Sequence, residues 1–110
     1  KGLPWERAKA FDGAAVFSDF ISFSGDLNHL SIKLFINNQL IQHGSVQQMI
    51  FPPKACLSDI SSFMTLNNND IIMTGTPKGV GEIEAGSDFK GQVLEGDRVI
   101  VEANWLVATL

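Results

Sequence analysis

Leu30-Ser31-Ile32-Lys33-Leu34-Phe35-Ile36-Asn37-Asn38-Gln39-Leu40-Ile41-Gln42 carries the clearest structural pattern in the chain. Leu30, Ile32, Leu34 and Ile36 recur at a period of two, with Ser31, Lys33 and Phe35 between them. That alternation predicts a half-buried strand. Asn37-Asn38 tolerates left-handed backbone, so a two-residue hairpin is expected to lead into a second arm, Gln39-Leu40-Ile41-Gln42. Gly44 is read as the end of that arm.

Towards the N-terminus, residues 25–29 read as a turn, and residues 14–23 as one or two half-buried strand pieces, apolar and aromatic with Ser18, Asp19 and Ser22 interspersed. Before them Pro4 suits a helix start and Ala8 and Ala10 favour helix, so one or two turns are expected, broken at Phe11-Asp12-Gly13. Towards the C-terminus the period changes. Over residues 53–65, Cys56, Leu57, Ile60, Phe63 and Met64 recur at three and four, which places one apolar stripe on a helix. Asn67-Asn68-Asn69 turns the chain, and Asp70-Ile71-Ile72-Met73 reads as a short buried strand. Residues 86–90 are polar and expected on the surface. Leu94-Glu95-Gly96-Asp97 is read as a turn. Arg98 to Trp105 alternates again, with Val99, Val101, Ala103 and Trp105 assigned to one face. One amphipathic helix beside mostly antiparallel sheet makes the fold class α+β, rich in strand.

The 110 residues suffice for one small domain. Hydrophobic content of 45% against 18% charged is a globular composition and excludes a disordered chain. A net charge of −4, with lysines and arginines scattered, speaks against a nucleic-acid partner. Cys56 is the single cysteine, so there is no disulfide framework and no cysteine-rich zinc site, and a reducing, cytoplasmic setting is expected. No apolar run nears the roughly 20 residues of a membrane span, so no membrane partner is expected.

The chemistry centres on Met73-Thr74-Gly75-Thr76-Pro77-Lys78-Gly79-Val80-Gly81, which cannot continue a helix or a central strand. It is not a P-loop, because Lys78 precedes Gly79 where Gly-Lys-Ser/Thr is needed. It is not a dinucleotide fingerprint either, because Glu84 stands where the third glycine belongs. Two readings stay open on the residues alone: a tight turn between strands, or a loop holding N–H groups and small hydroxyls at the mouth of a site. His29 and His43 stand alone beside turns and lack the further ligands of a zinc site. Ser22, Ser24 and Ser45 lie outside any Gly-x-Ser-x-Gly elbow. Glu82 and Glu84 are spaced to share one strand face and to hold a hard cation, or to form a solvated edge. Lys9, between Ala8 and Ala10, is either an ordinary surface lysine or a donor to an anionic group in a cleft.

Four stretches taken together resemble the fumarylacetoacetate hydrolase (FAH) family. They are Gly2-Leu3-Pro4-Trp5 with Ala8-Lys9-Ala10-Phe11-Asp12; Leu34-Phe35-Ile36-Asn37-Asn38; Met49-Ile50-Phe51; and Phe63-Met64-Thr65-Leu66 running into residues 70–81. The Leu-Pro-Trp opening is most similar to the small acylpyruvase branch. The resemblance implies an FAH-type mixed β-sheet, a homodimer, Mg²⁺ or Mn²⁺, and a small-molecule 2-oxo or 2,4-dioxo acid as substrate. It implies C–C hydrolysis, decarboxylation or keto–enol isomerisation, all of which need an enolate beside a carboxylate, stabilised by a cation. By position, Lys9 matches the family's catalytic lysine. Thr76, with Gly75 beside it, matches the residues that bind the substrate carboxylate.

The family's Glu-x-Glu, its following aspartate and its water-activating His/Glu pair lie ahead of the lysine, so no metal ligand is assigned within this chain. Glu82 and Glu84 follow the glycine loop and are not that Glu-x-Glu. Two positions depart from the family. Gly13 replaces a small polar residue, which removes a hydroxyl near the metal, and Val16 lies where relatives carry a proline, which touches backbone shape only. The expectation is that residues 1–110 are the C-terminal portion of a single FAH-like catalytic domain. The expected reaction is Mg-dependent hydrolysis of a C–C bond in acylpyruvate-type 2,4-dioxo acids. The alternatives are a 2-oxo acid decarboxylase, isomerase or oxaloacetate tautomerase of the same family, or a non-enzymatic dimerisation domain.

Overall fold

Asn37 and Asn38 take φ values of 49° and 65°, the left-handed pair that a tight hairpin requires, and around them the chain folds back as expected. The computed structural model describes Gly2 and residues 5–109. The proposed helix start at Pro4 lies outside the described residues. Helix α1 (Trp5–Lys9) begins just after it, and strands β1 (Leu30–Ile36) and β2 (Gln39–Ser45) form the hairpin. Gly44 does not end the second arm. It lies inside β2, opposite Ile32, and Ser45 pairs with Ser31.

Two further strands, β3 (Asp88–Glu95) and β4 (Arg98–Leu106), complete an antiparallel sheet in the order β2-β1-β3-β4. β3 corrects the sequence reading, which made residues 86–90 exposed polar surface. They lead into a central strand, and Ser87 is among the most buried residues, 5% exposed. The pattern was hidden because Gly91 interrupts the apolar alternation of Phe89 and Val93. The register explains the glycine. Gly91 lies opposite Ala103, and a Cβ on it would come within 3.0 Å of the Trp105 ring.

Residues opposite one another share a face. Ile32, Val93 and Val101 form one row, and Ile36, Phe89 and Trp105 another, giving an apolar face. Lys33, Gln92 and Glu102 form a row on the other side, where the Gln92 Nε2 donates to Glu102 Oε2 at 2.5 Å. The Lys90 ammonium lies 4.8 Å from the centre of the Phe35 ring on that polar side. A register shift at Val93/Leu94 places Val99 opposite Leu94. Val99 therefore leaves the face of Val101, Ala103 and Trp105, against the simple alternation.

At the end of β1 the Asn37 amide donates to the Asp88 carbonyl at 2.8 Å, and the Asp88 amide donates to Asn37 Oδ1 at 2.9 Å. This pair of bonds is the root of the long excursion between the hairpin and β3. Helix α2 (Pro53–Ser61) occupies part of that excursion, with Pro53 in its first turn. It stops short of residue 65. The Ser61 hydroxyl bonds the Leu57 carbonyl, and that of Ser62 bonds the Asp59 carbonyl at 2.6 Å, so side chains compete with the helix at its end.

Two expected strands do not form. Residues 70–73 stay outside the sheet because Asp70 turns back on Asn67. Its Oδ2 accepts from the Asn67 amide at 2.8 Å, and its own amide donates to the Asn67 carbonyl at 3.2 Å. Residues 14–23 find no strand partner, and Phe20 is 76% exposed. Glu82 and Glu84, on an exposed loop, share no strand face.

Among the described residues Leu94 is the one buried hydrophobic side chain. Ile50 and Met73 are 90% and 80% exposed. The radius of gyration, 15.6 Å, exceeds the roughly 13 Å of a closed domain of this length. The sheet is well formed, but its apolar side is largely open. The architecture is a strand-rich α+β fold, as expected.

Candidate functional site

Gln42 occupies an unusual register. It pairs with Leu34 on β1, so it falls in the apolar series of Ile32, Leu34 and Ile36. Its amide is used there to hold a distant loop. The Nε2 donates to the Pro77 carbonyl at 3.1 Å and to Thr76 Oγ1 at 3.3 Å. The glycine loop thus lies over β2, and two glycines permit it. A Cβ at Gly44 would sit 2.9 Å from Pro77 Cβ, and one at Gly79 would sit 2.5 Å from the Ile41 carbonyl oxygen. Gly79 also has φ of 109°, which L-residues rarely adopt. Gly79→Ala is therefore expected to cost about 1–3 kcal/mol through overpacking and strain. Thermal unfolding of the complete protein checks this, and an unchanged Tm would mean that the loop is not seated on β2.

Beneath the loop lies a cavity of about 480 Å³. Ile32 and Val93, neighbours across β1 and β3, line it, together with Cys56 of α2. Thr74, Gly75 and Thr76 bring hydroxyls and backbone to the same cavity. Among the described residues no charged side chain lines it, so an anionic group held there would meet neutral dipoles on an apolar floor. Cys56 is half-buried, and its thiol points to the Phe51 carbonyl at 3.4 Å.

The structure brings Thr76 and Gly75 together in this cavity. It does not bring Lys9 to it. Lys9 lies in the last turn of α1, exposed, and is not a lining residue. A second cleft, about 450 Å³, takes in His29 and Glu95, but the Glu95 carboxylate is held by Arg98 at 2.6 Å. His43 stands opposite Lys33 on the polar side of the sheet. Among the described residues no three His, Cys, Asp or Glu side chains converge. On their own these residues do not fit a divalent cation. Sequence reasoning missed Gln42, because a regular two-residue hairpin would pair it with Lys33 on the polar side, and only the register shift between Leu34 and Phe35 brings it opposite Leu34.

The fumarylacetoacetate (FAA) hydrolase C-terminal family matches residues 1–109. The chain is similar to the oxaloacetate tautomerase of Escherichia coli (strain K12), 38% identical over 91 residues, 80% of this chain and 42% of that protein. Its fold is similar to a candidate fumarylacetoacetate isomerase/hydrolase from Oleispira antarctica, with a TM-score of 0.88, 34% identity, and coverage of 96% of this chain and 49% of that one. It is also similar to the maleylpyruvate hydrolase of Sphingobium sp. SYK-6, solved in complex with manganese (II) ion and pyruvate. There the TM-score is 0.69 at 30% identity, over 77% of this chain and 31% of that one. The chain spans less than half the length of the curated relatives it matches.

Proposed function

Since this chain belongs to the fumarylacetoacetate hydrolase family, whose members are enzymes, we propose that it forms the carboxylate-binding part of an enzyme that works through the enol of a 2-oxo acid. The observation that carries this is the seating of Thr76 and Gly75 over the apolar, uncharged cavity. Enolisation moves a proton from the carbon beside the keto group to its oxygen, and negative charge gathers next to the substrate carboxylate. The Thr76 hydroxyl donates a hydrogen bond to that carboxylate, Gly75 supplies backbone beside it, and Ile32 and Val93 give the floor an apolar surface. Lys9 provides positive charge as the enolate forms.

Keto–enol interconversion of oxaloacetate is the reading we favour, because of the similarity to the Escherichia coli tautomerase. Hydrolysis of a C–C bond in 2,4-dioxo acids is the second reading, favoured by the similarity to maleylpyruvate hydrolase. The complete protein should be given enol-oxaloacetate, followed by its ultraviolet absorbance, and separately acetylpyruvate, followed by release of pyruvate. Accelerated ketonisation without pyruvate release supports the first reading, and pyruvate release the second. Neither activity would end the proposal.

We further propose that residues 1–110 are the C-terminal portion of one catalytic domain, whose remaining portion covers the open apolar face and supplies the ligands for Mg²⁺ or Mn²⁺. The exposed Ile50 and Met73, and the 42% coverage of the bacterial relative, support this. A sharp, cooperative unfolding transition of these 110 residues alone would argue against it. Homodimerisation is part of the same proposal, and sedimentation of the complete protein as a monomer would remove it.

A further inference from the structure

We propose that Gln42 is a positioning residue that sets the direction of the Thr76 hydroxyl and so fixes the site as a receptor for an anion. This rests on the reading of Thr76 as a donor to the substrate carboxylate. The chemistry of the amide decides the direction. The Pro77 carbonyl accepts hydrogen bonds and cannot donate one, so the end of Gln42 that faces it at 3.1 Å is the NH₂. The same nitrogen carries a second hydrogen, and Thr76 Oγ1 lies 3.3 Å away to receive it. A hydroxyl that accepts from a neighbour keeps its own proton for another partner. Thr76 therefore turns an O–H donor towards the cavity, and an anion meets a donor already committed.

The glutamine is itself held in place. It lies on β2, paired with Leu34, and is partly buried under the loop. Its two bonds span 34 and 35 residues of sequence, so it ties the hairpin to the site directly. Among the described residues no other side chain donates to Thr76. An acidic residue in this place would reverse the pattern. It would repel the Pro77 carbonyl and accept the Thr76 hydroxyl's hydrogen bond itself.

The test is a double-mutant cycle in the complete protein, with oxaloacetate and acetylpyruvate as substrates. Gln42→Met keeps the length of the side chain and removes both donors. It is expected to raise KM about three- to tenfold, the worth of one ordinary hydrogen bond, with kcat changed much less. In a Thr76→Val background the same substitution is expected to change KM less than twofold, because the hydroxyl it orients is gone. Equal effects in both backgrounds would overturn the proposal, as would no effect in the unsubstituted protein. Gln42→Glu keeps the shape of glutamine and serves if the methionine variant does not fold. It should raise KM at least as much as Gln42→Met, and a milder effect overturns the proposal. If Thr76→Val alone leaves KM unchanged, the reading of the carboxylate site has failed. If Thr76→Val raises KM and both Gln42 variants are silent, only the role of Gln42 has failed.

Discussion

Lys9→Met in the complete enzyme is expected to lower kcat by about a hundred- to a thousandfold, the usual cost of removing one group that stabilises developing charge. Methionine matches the length of the aliphatic stem of lysine, so α1 should survive the change. The charge matters most when the enolate forms and least when the neutral keto group first binds. The loss should therefore appear in kcat and leave KM nearly unchanged. Steady-state kinetics with oxaloacetate decides the matter. In the described residues Lys9 is exposed at the end of α1 and away from the cavity lining. The proposed role thus requires the complete protein to place α1 against the site. A variant with near-normal kcat would show Lys9 to be a surface cation of a short helix.

The second large effect is expected at Thr76. Valine keeps the branching of threonine, so the loop should hold its shape. What is lost is one hydrogen bond to a charged carboxylate, about 1.5–3 kcal/mol, or roughly ten- to a hundredfold in affinity. The carboxylate is present in the ground and transition states alike, so the loss should fall on KM. Thr74→Val is the control. Thr74 lines the same cavity, but Gln42 reaches Thr76 and not Thr74. If the two variants shift KM alike, the carboxylate contact is not specific to Thr76. If neither shifts it, the glycine loop is a turn and nothing more.

How much of this was legible in the sequence depended on whether local residues carried the information. The β1–β2 hairpin was readable because the apolar alternation and Asn37-Asn38 both act within a few residues. β4 was readable for the same reason, up to the register shift that moved Val99 to the other face. β3 was not, because its central position holds Gly91, chosen by a tryptophan on the neighbouring strand. The run Ile71-Ile72-Met73 has a strand's composition, but Asp70 folds back on Asn67 just before it. Of the site, the glycine loop was visible as a motif. Its seat on β2 was not, since that depends on Gln42, Gly44 and the Ile41 carbonyl, more than thirty residues earlier. The family resemblance named Lys9 and Thr76, where local pattern alone left a surface lysine and a tight turn open beside the functional readings.

The pair of bonds between Asn37 and Asp88 has a consequence for the order in which the protein assembles. Each of the hairpins β1–β2 and β3–β4 joins near neighbours and can form early, on a timescale of microseconds. The β1–β3 pairing instead joins residues further apart than the 51 positions between Asn37 and Asp88, and closing so long a loop costs entropy before any contact rewards it. The glycine loop and α2 lie wholly inside that loop. Gln42 therefore waits on a finished hairpin while Thr76 is still diffusing, and the cavity floor, Ile32 beside Val93, does not exist until the same closure. The cavity under the glycine loop is therefore expected to be complete only once β1 and β3 have met, and whatever slows that meeting should delay its assembly as well.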